Sequence, residues 1–163
     1  MLIPTPPPDH YLWLGRVMSA CSMLEVQIGM IGWAWKHGKP WTENWSDVDG
    51  APGAALRLCR AALPEMDAAL ASEVSALLDE AVLVRNERNK FAHAVFILDP
   101  TRASGDQWIL KSAREEFEPL TEEQGAALVA TSNQLSKRAA LLRERAAQGS
   151  ASRKARQSAA AEP

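Results

Sequence analysis

Leu70, Val74, Leu77, Ala81 and Val84 follow one another at steps of four, three, four and three. That spacing brings an apolar side chain back to one side of an α-helix at every turn, and it is the period of a helix packed along others. The pattern predicts a long helix from about Glu65 to the neighbourhood of His93, and any fold must bury its stripe.

Three further segments carry the same period. From about His10 to Lys36, behind a possible cap at Asp9, apolar residues recur at Leu14, Met18, Cys21 and Ile28 and again at Leu24, Ile28, Ile31 and Trp35. A helix apolar over so much of its circumference is buried on more than one side, which suggests a central position or a dimer interface. A short helix is expected over 54–63, with Leu56, Cys59 and Leu63 on one side and Pro64 opening the next element. A last helix opens at Thr121, with Gln124 three residues on as a capping box, and continues through Leu128, Ser132, Leu135, Ala139 and Leu142.

Between the third and fourth helices, "AVFIL" and "QWILK" are β-prone runs joined by "DPTRASGD", whose turn signals read as a hairpin. Residues 38–53 read as a loop anchored by Trp41 and Trp45, with Ser46, Asp47 or Asp49 available as caps. The expected fold is all-α: a four-helix up-and-down bundle with a small β-hairpin between the third and fourth helices. Residues 1–8 form a Pro-rich arm, 9–147 the helical domain and 148–163 a basic, disordered tail.

Composition narrows the class. A chain of 163 residues, 47% hydrophobic and 23% charged, fits a single soluble globular domain. Cys21 and Cys59 lie inside apolar helical patterns without metal-ligand spacing, which argues against a disulfide scaffold or a zinc site, and no cofactor is expected. The Pro-rich start lacks the basic region of a signal peptide, and Glu25 and Gln27 interrupt the longest apolar run, so no membrane segment is expected and the location is cytoplasmic. From Lys137 onward, Lys137, Arg138, Arg143, Arg145, Arg153, Lys154 and Arg156 oppose only Glu144 and Glu162. A basic end of this kind can hold a polyanion or simply keep a tail soluble.

One further step of four along the third helix lands on Arg88, and one further step from Cys21 along the first lands on Glu25. Opposite charges thus interrupt two core stripes, and a charge buried alone is costly, so the two are expected to face each other. Arg85, Asn89 and His93 lie in line at steps of four beside Arg88. Two guanidiniums, an amide and an imidazole in one corner suit an anion such as phosphate, with a histidine able to move a proton near neutrality.

"RNKFAH", Arg88 to His93, resembles the signature of the HEPN superfamily, and the resemblance covers residues 10–147 through helix order, motif position and the acidic residue on the first helix. It implies a metal-independent endoribonuclease, a toxin or defence factor in some settings, in which two protomers pair so that both motifs share one cleft. Arg88 would bind the scissile phosphate, His93 would act as general base or acid for attack by the ribose 2′-hydroxyl, Asn89 would position either, Glu25 would orient Arg88, and Arg85 would add a phosphate contact. RNA or a nucleotide, and an antitoxin or other regulator, are the partners implied. Two other readings stay open: a non-catalytic nucleotide- or RNA-binding or interaction module on the same fold, whose Arg/His corner binds a nucleotide or holds the dimer together, and a purely structural Arg–Glu pair. Trp13, Trp33 and Trp35 read as packing rather than base-stacking residues.

Overall fold

The helices predicted from these stripes are present in the computed structural model, which describes residues 6–40, 53–99, 101, 108–112 and 119–161. The chain is mostly helical, with four α-helices and a small antiparallel sheet: α1 Pro8–His37, α2 Ala54–Ala62, α3 Ala68–Ala92, β1 Ala94–Leu98, β2 Trp108–Ser112, β3 Pro119–Leu120 and α4 Glu122–Ala161. A 3-10 turn, Leu63–Glu65, follows α2. Trp41, Trp45 and the loop caps expected near them lie outside the described residues.

Helix ends follow from local chemistry. α1 begins at Pro8, so Asp9 sits in the first turn rather than capping it, where its charge suits the helix dipole. It ends against Gly38, which takes φ +73° and donates its N–H to the Ala34 carbonyl, a left-handed cap that favours glycine. α3 starts three residues later than its hydropathy suggests, because Pro64 lies in the 3-10 turn and Asp67 accepts the Leu70 N–H at 2.9 Å. The capping box of α4 forms in both directions: Thr121 N–H donates to Gln124 Oε1 at 2.8 Å, and Gln124 N–H donates to Thr121 Oγ1 at 3.1 Å.

The chain divides into two compact units, Met1–Cys21 with Leu83–Ser132, and Ser22–Val82 with Asn133–Pro163. The first contains the sheet, in the order β1-β2-β3. β1 pairs antiparallel with β2 from Ala94↔Ser112 to Leu98↔Trp108, as the β-prone runs suggest. β2 also pairs with β3 at Leu110↔Leu120 and Lys111↔Pro119. This third strand is too short to show a period and begins on a proline, so the sequence conceals it. Val17, Cys21, Val84, Phe91, Ile109, Leu110, Leu128 and Ser132 are buried here. The Ser132 hydroxyl, buried on an otherwise apolar stripe, donates to the Leu128 carbonyl at 2.8 Å and lies 3.4 Å from the Cys21 thiol.

The second unit buries Leu24, Ile28, Ile31 and Trp35 of α1, Leu56 and Cys59 of α2, Leu70, Val74, Leu77 and Ala81 of α3, and Leu135, Ala139, Leu142 and Ala146 of α4. Gly32 lets α2 approach closely: a Cβ there would come within 3.0 Å of the Cys59 backbone. Burial pushes the Cys59 thiol up to about 12.

Residues 148–161, expected as a disordered tail, continue α4. The stripe persists at Ala146, Gly149 and Arg153, but with small or charged residues in place of bulky apolar ones. Trp35 supplies the missing bulk. A Cβ on Gly149 would come within 2.9 Å of the Trp35 ring, and the Arg153 guanidinium lies 5.1 Å from the ring centroid. Arg138, Arg145 and Arg153 pair with Glu80, Glu73 and Glu65 respectively. The residue numbers of each pair add to the same value, as two segments running in opposite directions in fixed register require. The Arg145–Glu73 pair is bidentate, at 2.6 and 2.9 Å.

α1 is long and apolar enough to cross a membrane by length and composition, and 56% of that window is buried inside the protein; core helices of soluble proteins and signal sequences meet the same two criteria.

Two outcomes follow. Hydrogen bonds from Arg153 and Arg145 hold the carboxyls of Glu65 and Glu73 below the usual glutamate value of 4.5. A lowered folded pKa stabilises fully above that value and is lost as pH falls through the folded one, so the thermal midpoint should drop between about pH 6 and pH 3. The drop should be smaller in a Glu65→Gln/Glu73→Gln variant, measured by circular dichroism. Thr121→Ala should cost about 1 kcal/mol in urea unfolding, with Thr121→Ser close to the parent.

Candidate functional site

The end of α3 and the residue that follows it supply Arg85, Arg88, Asn89 and His93, the corner singled out from the sequence. Arg85, Arg88 and Asn89 are half-buried, and His93 is exposed. His93 stands one residue beyond the helix, its N–H still donating to the Asn89 carbonyl at 3.1 Å, and β1 leaves at Ala94. The imidazole therefore stands at the helix C-terminus, where a positive charge suits the dipole.

The stripe of α3 explains why this end is ordered. Leu70, Val74, Leu77, Ala81 and Val84 are all buried, as their spacing predicts, and the next two positions in the series are Arg88 and Phe91. Phe91 is only 3% exposed and meets Trp13 edge-on, with ring centroids 5.8 Å apart. Arg88 is thus a half-buried cation between two buried apolar residues, Val84 and Phe91, while its helical neighbours Arg85 and Asn89 lie on the adjoining face. Among the described residues, no acceptor meets the buried Nε of Arg85.

Trp13 is held in turn by α4. A Cβ on Gly125 would come within 2.8 Å of the Trp13 ring and 3.1 Å of Val17, so glycine makes room for the indole that braces Phe91. Sequence reasoning missed both Phe91 and Gly125. Phe91 was legible as the next step of three beyond Arg88; nothing in the sequence marks Gly125, because a helix-interior glycine reads only as a weak helix former.

Glu25 lies on the stretch of α1 that belongs to the other compact unit. It is half-buried beside the apolar stripe rather than on it, because the buried series of α1 is Val17, Cys21, Leu24, Ile28, Ile31 and Trp35. The stripe traced through Leu14 and Met18 drifts off the core, both residues being half-buried. His10, which reads as a surface residue, is half-buried with its ring edge-on to Phe96 at 5.7 Å. His37 is exposed and stacks on Trp33 at 4.6 Å.

The basic end differs in kind from its sequence reading. Arg138, Arg145 and Arg153 hold carboxylates, Arg143 donates to Gln27 and Glu144, and Lys154 donates to the Lys36 carbonyl. Charges already engaged inside the molecule attract a polyanion less than a free basic tail does.

No family model, curated protein or solved structure matches this chain.

Phe91→Ala should destabilise the protein by about 3–5 kcal/mol, because it leaves a cavity beside Trp13. His93→Ala should stay within about 0.5 kcal/mol, because the imidazole is exposed. Urea unfolding of the two variants measures both.

Proposed function

We propose that the chain is a metal-independent endoribonuclease of HEPN type. The observation that carries the reading is the placement of His93, an exposed imidazole at the end of α3, one turn beyond Asn89 and following the half-buried Arg88. A general base must be reachable by the substrate, whereas an electrostatic stabiliser works best partly withdrawn from water.

His93 takes the proton from a ribose 2′-hydroxyl as that oxygen attacks the adjacent phosphorus. The bond from phosphorus to the 5′-oxygen breaks, leaving a 2′,3′-cyclic phosphate and a 5′-hydroxyl end. Arg88 stabilises charge on the non-bridging oxygens, Asn89 positions the phosphate or the imidazole, and Arg85 gives a second phosphate contact. Two protomers pair so that both motifs share one cleft, with the four helices in an up-and-down bundle. A cytoplasmic toxin or defence role, under an antitoxin or other regulator, suits such an enzyme.

One observation favours a second reading, a non-catalytic nucleotide-binding or interaction module. Arg138, Arg145 and Arg153 of α4 are engaged with Glu80, Glu73 and Glu65, which leaves them less able to draw in long RNA.

With a fluorescent single-stranded RNA, the parent protein should give cyclic-phosphate ends. His93→Ala should lose at least about a hundredfold in rate with its thermal midpoint unchanged. Equal cleavage by parent and His93→Ala removes the catalytic assignment, and nucleotide binding without RNA cleavage by either supports the second reading. Sedimentation at micromolar concentration should show a dimer; a monomer would rule out the shared cleft.

A further inference from the structure

Away from the arginine and histidine end of α3, the same compact unit contains a cleft of about 340 Å³ between the first turns of α1 and α4 and the strands β2 and β3. Its walls include the indoles of Trp13 and Trp108, the imidazole of His10 and the apolar Leu120, and the carboxylates of Asp9 and Glu122 also line it. We propose that this cleft binds an organic ammonium ion, of the methylated or quaternary class.

Three features support that ligand chemistry. Among the described residues, the formally charged side chains lining the cleft are Asp9 and Glu122, both negative, and no lysine or arginine lines it. Both carboxylates are exposed, each in the first turn of its helix. Aromatic side chains can attract a cation through their ring faces, and a weakly hydrated ammonium gives up its water for an aromatic site more readily than a small metal ion does. Among the described residues, moreover, no three His, Cys, Asp or Glu side chains converge as a metal ion requires.

Two of the walls are packed against neighbours. Trp13 meets Phe91 edge-on and lies against Gly125. His10 meets Phe96 of β1 edge-on, and the backbone of Trp108 pairs with Leu98 in the sheet. A preorganised aromatic site loses little side-chain freedom on binding. The volume falls at the lower end of the range of ligand pockets, about 300–1,000 Å³, which suits a small head group rather than a polymer.

The test compares choline with 3,3-dimethylbutan-1-ol, its neutral isostere, on the full chain by calorimetry and by the Trp108 indole N–H signal in NMR, with sodium chloride matching ionic strength. Choline should bind saturably in the millimolar range and shift the Trp108 signal, with the neutral isostere at least about tenfold weaker. Asp9→Asn/Glu122→Gln, two exposed and near-isosteric changes, should weaken choline at least about fivefold, and Trp108→Leu should weaken it further. Equal affinity for both probes, no saturable binding below about 100 mM, or unchanged affinity in the double variant overturns the proposal. If Trp108→Leu fails to fold, the double variant and the isostere decide the question.

Discussion

The buried stripe of α3, from Leu70 to Phe91 at alternating steps of four and three, is the constraint on which the rest depends. It fixes which side of the helix turns inward along most of its length. With that side fixed, the azimuth of every other residue on α3 is fixed too. Arg88 is drawn towards the interior by the series, Arg85 and Asn89 fall on its shoulder, and His93 reaches solvent where the helix stops. Phe91 keeps the series going beyond the arginine, so one charged position does not unwind the end of the helix. The aromatic contact from Trp13, with the space that Gly125 provides, secures that end.

Along α4, placement counts for more than charge total. A count of lysines and arginines cannot separate a free basic tail from a helix whose arginines hold carboxylates at matching intervals. Exposed pairs of this kind contribute little individually to stability, but their repeated spacing opposes a shift of one helix turn against the other. They set register, while the small residues Ala139, Ala146 and Gly149 allow close approach.

What the sequence conveyed well was whatever repeats. The stripes of α3 and α4, the Thr121–Gln124 box and the β1–β2 pairing all arise from local rules, and each is found in the structure. What it conveyed poorly depends on a partner elsewhere in the chain. The final turns of α4 are helical because Trp35 fills the space above Gly149 and Glu65 receives Arg153, neither of which is visible within 148–161. β3 exists because β2 offers it an edge. Glu25 reads as a stripe position because two overlapping apolar series run along α1, and only burial shows that the one through Leu24 and Ile31 is innermost. For the candidate site, the positions of Arg85, Arg88, Asn89 and His93 at the end of α3 were legible from spacing, and Phe91 continues the same series, whereas the room that Gly125 makes for Trp13 was not legible.

Cys21 and Cys59 are the two cysteines of the chain, and both are buried thiols outside any disulfide. Cys59, its thiol pushed up to about 12, is almost wholly in the unreactive protonated form at neutral pH. The folded protein is therefore a natural background for site-specific labelling. A single cysteine introduced on an exposed face becomes the accessible source of thiolate, so a spin label or fluorophore can be attached without first removing the native sulfurs.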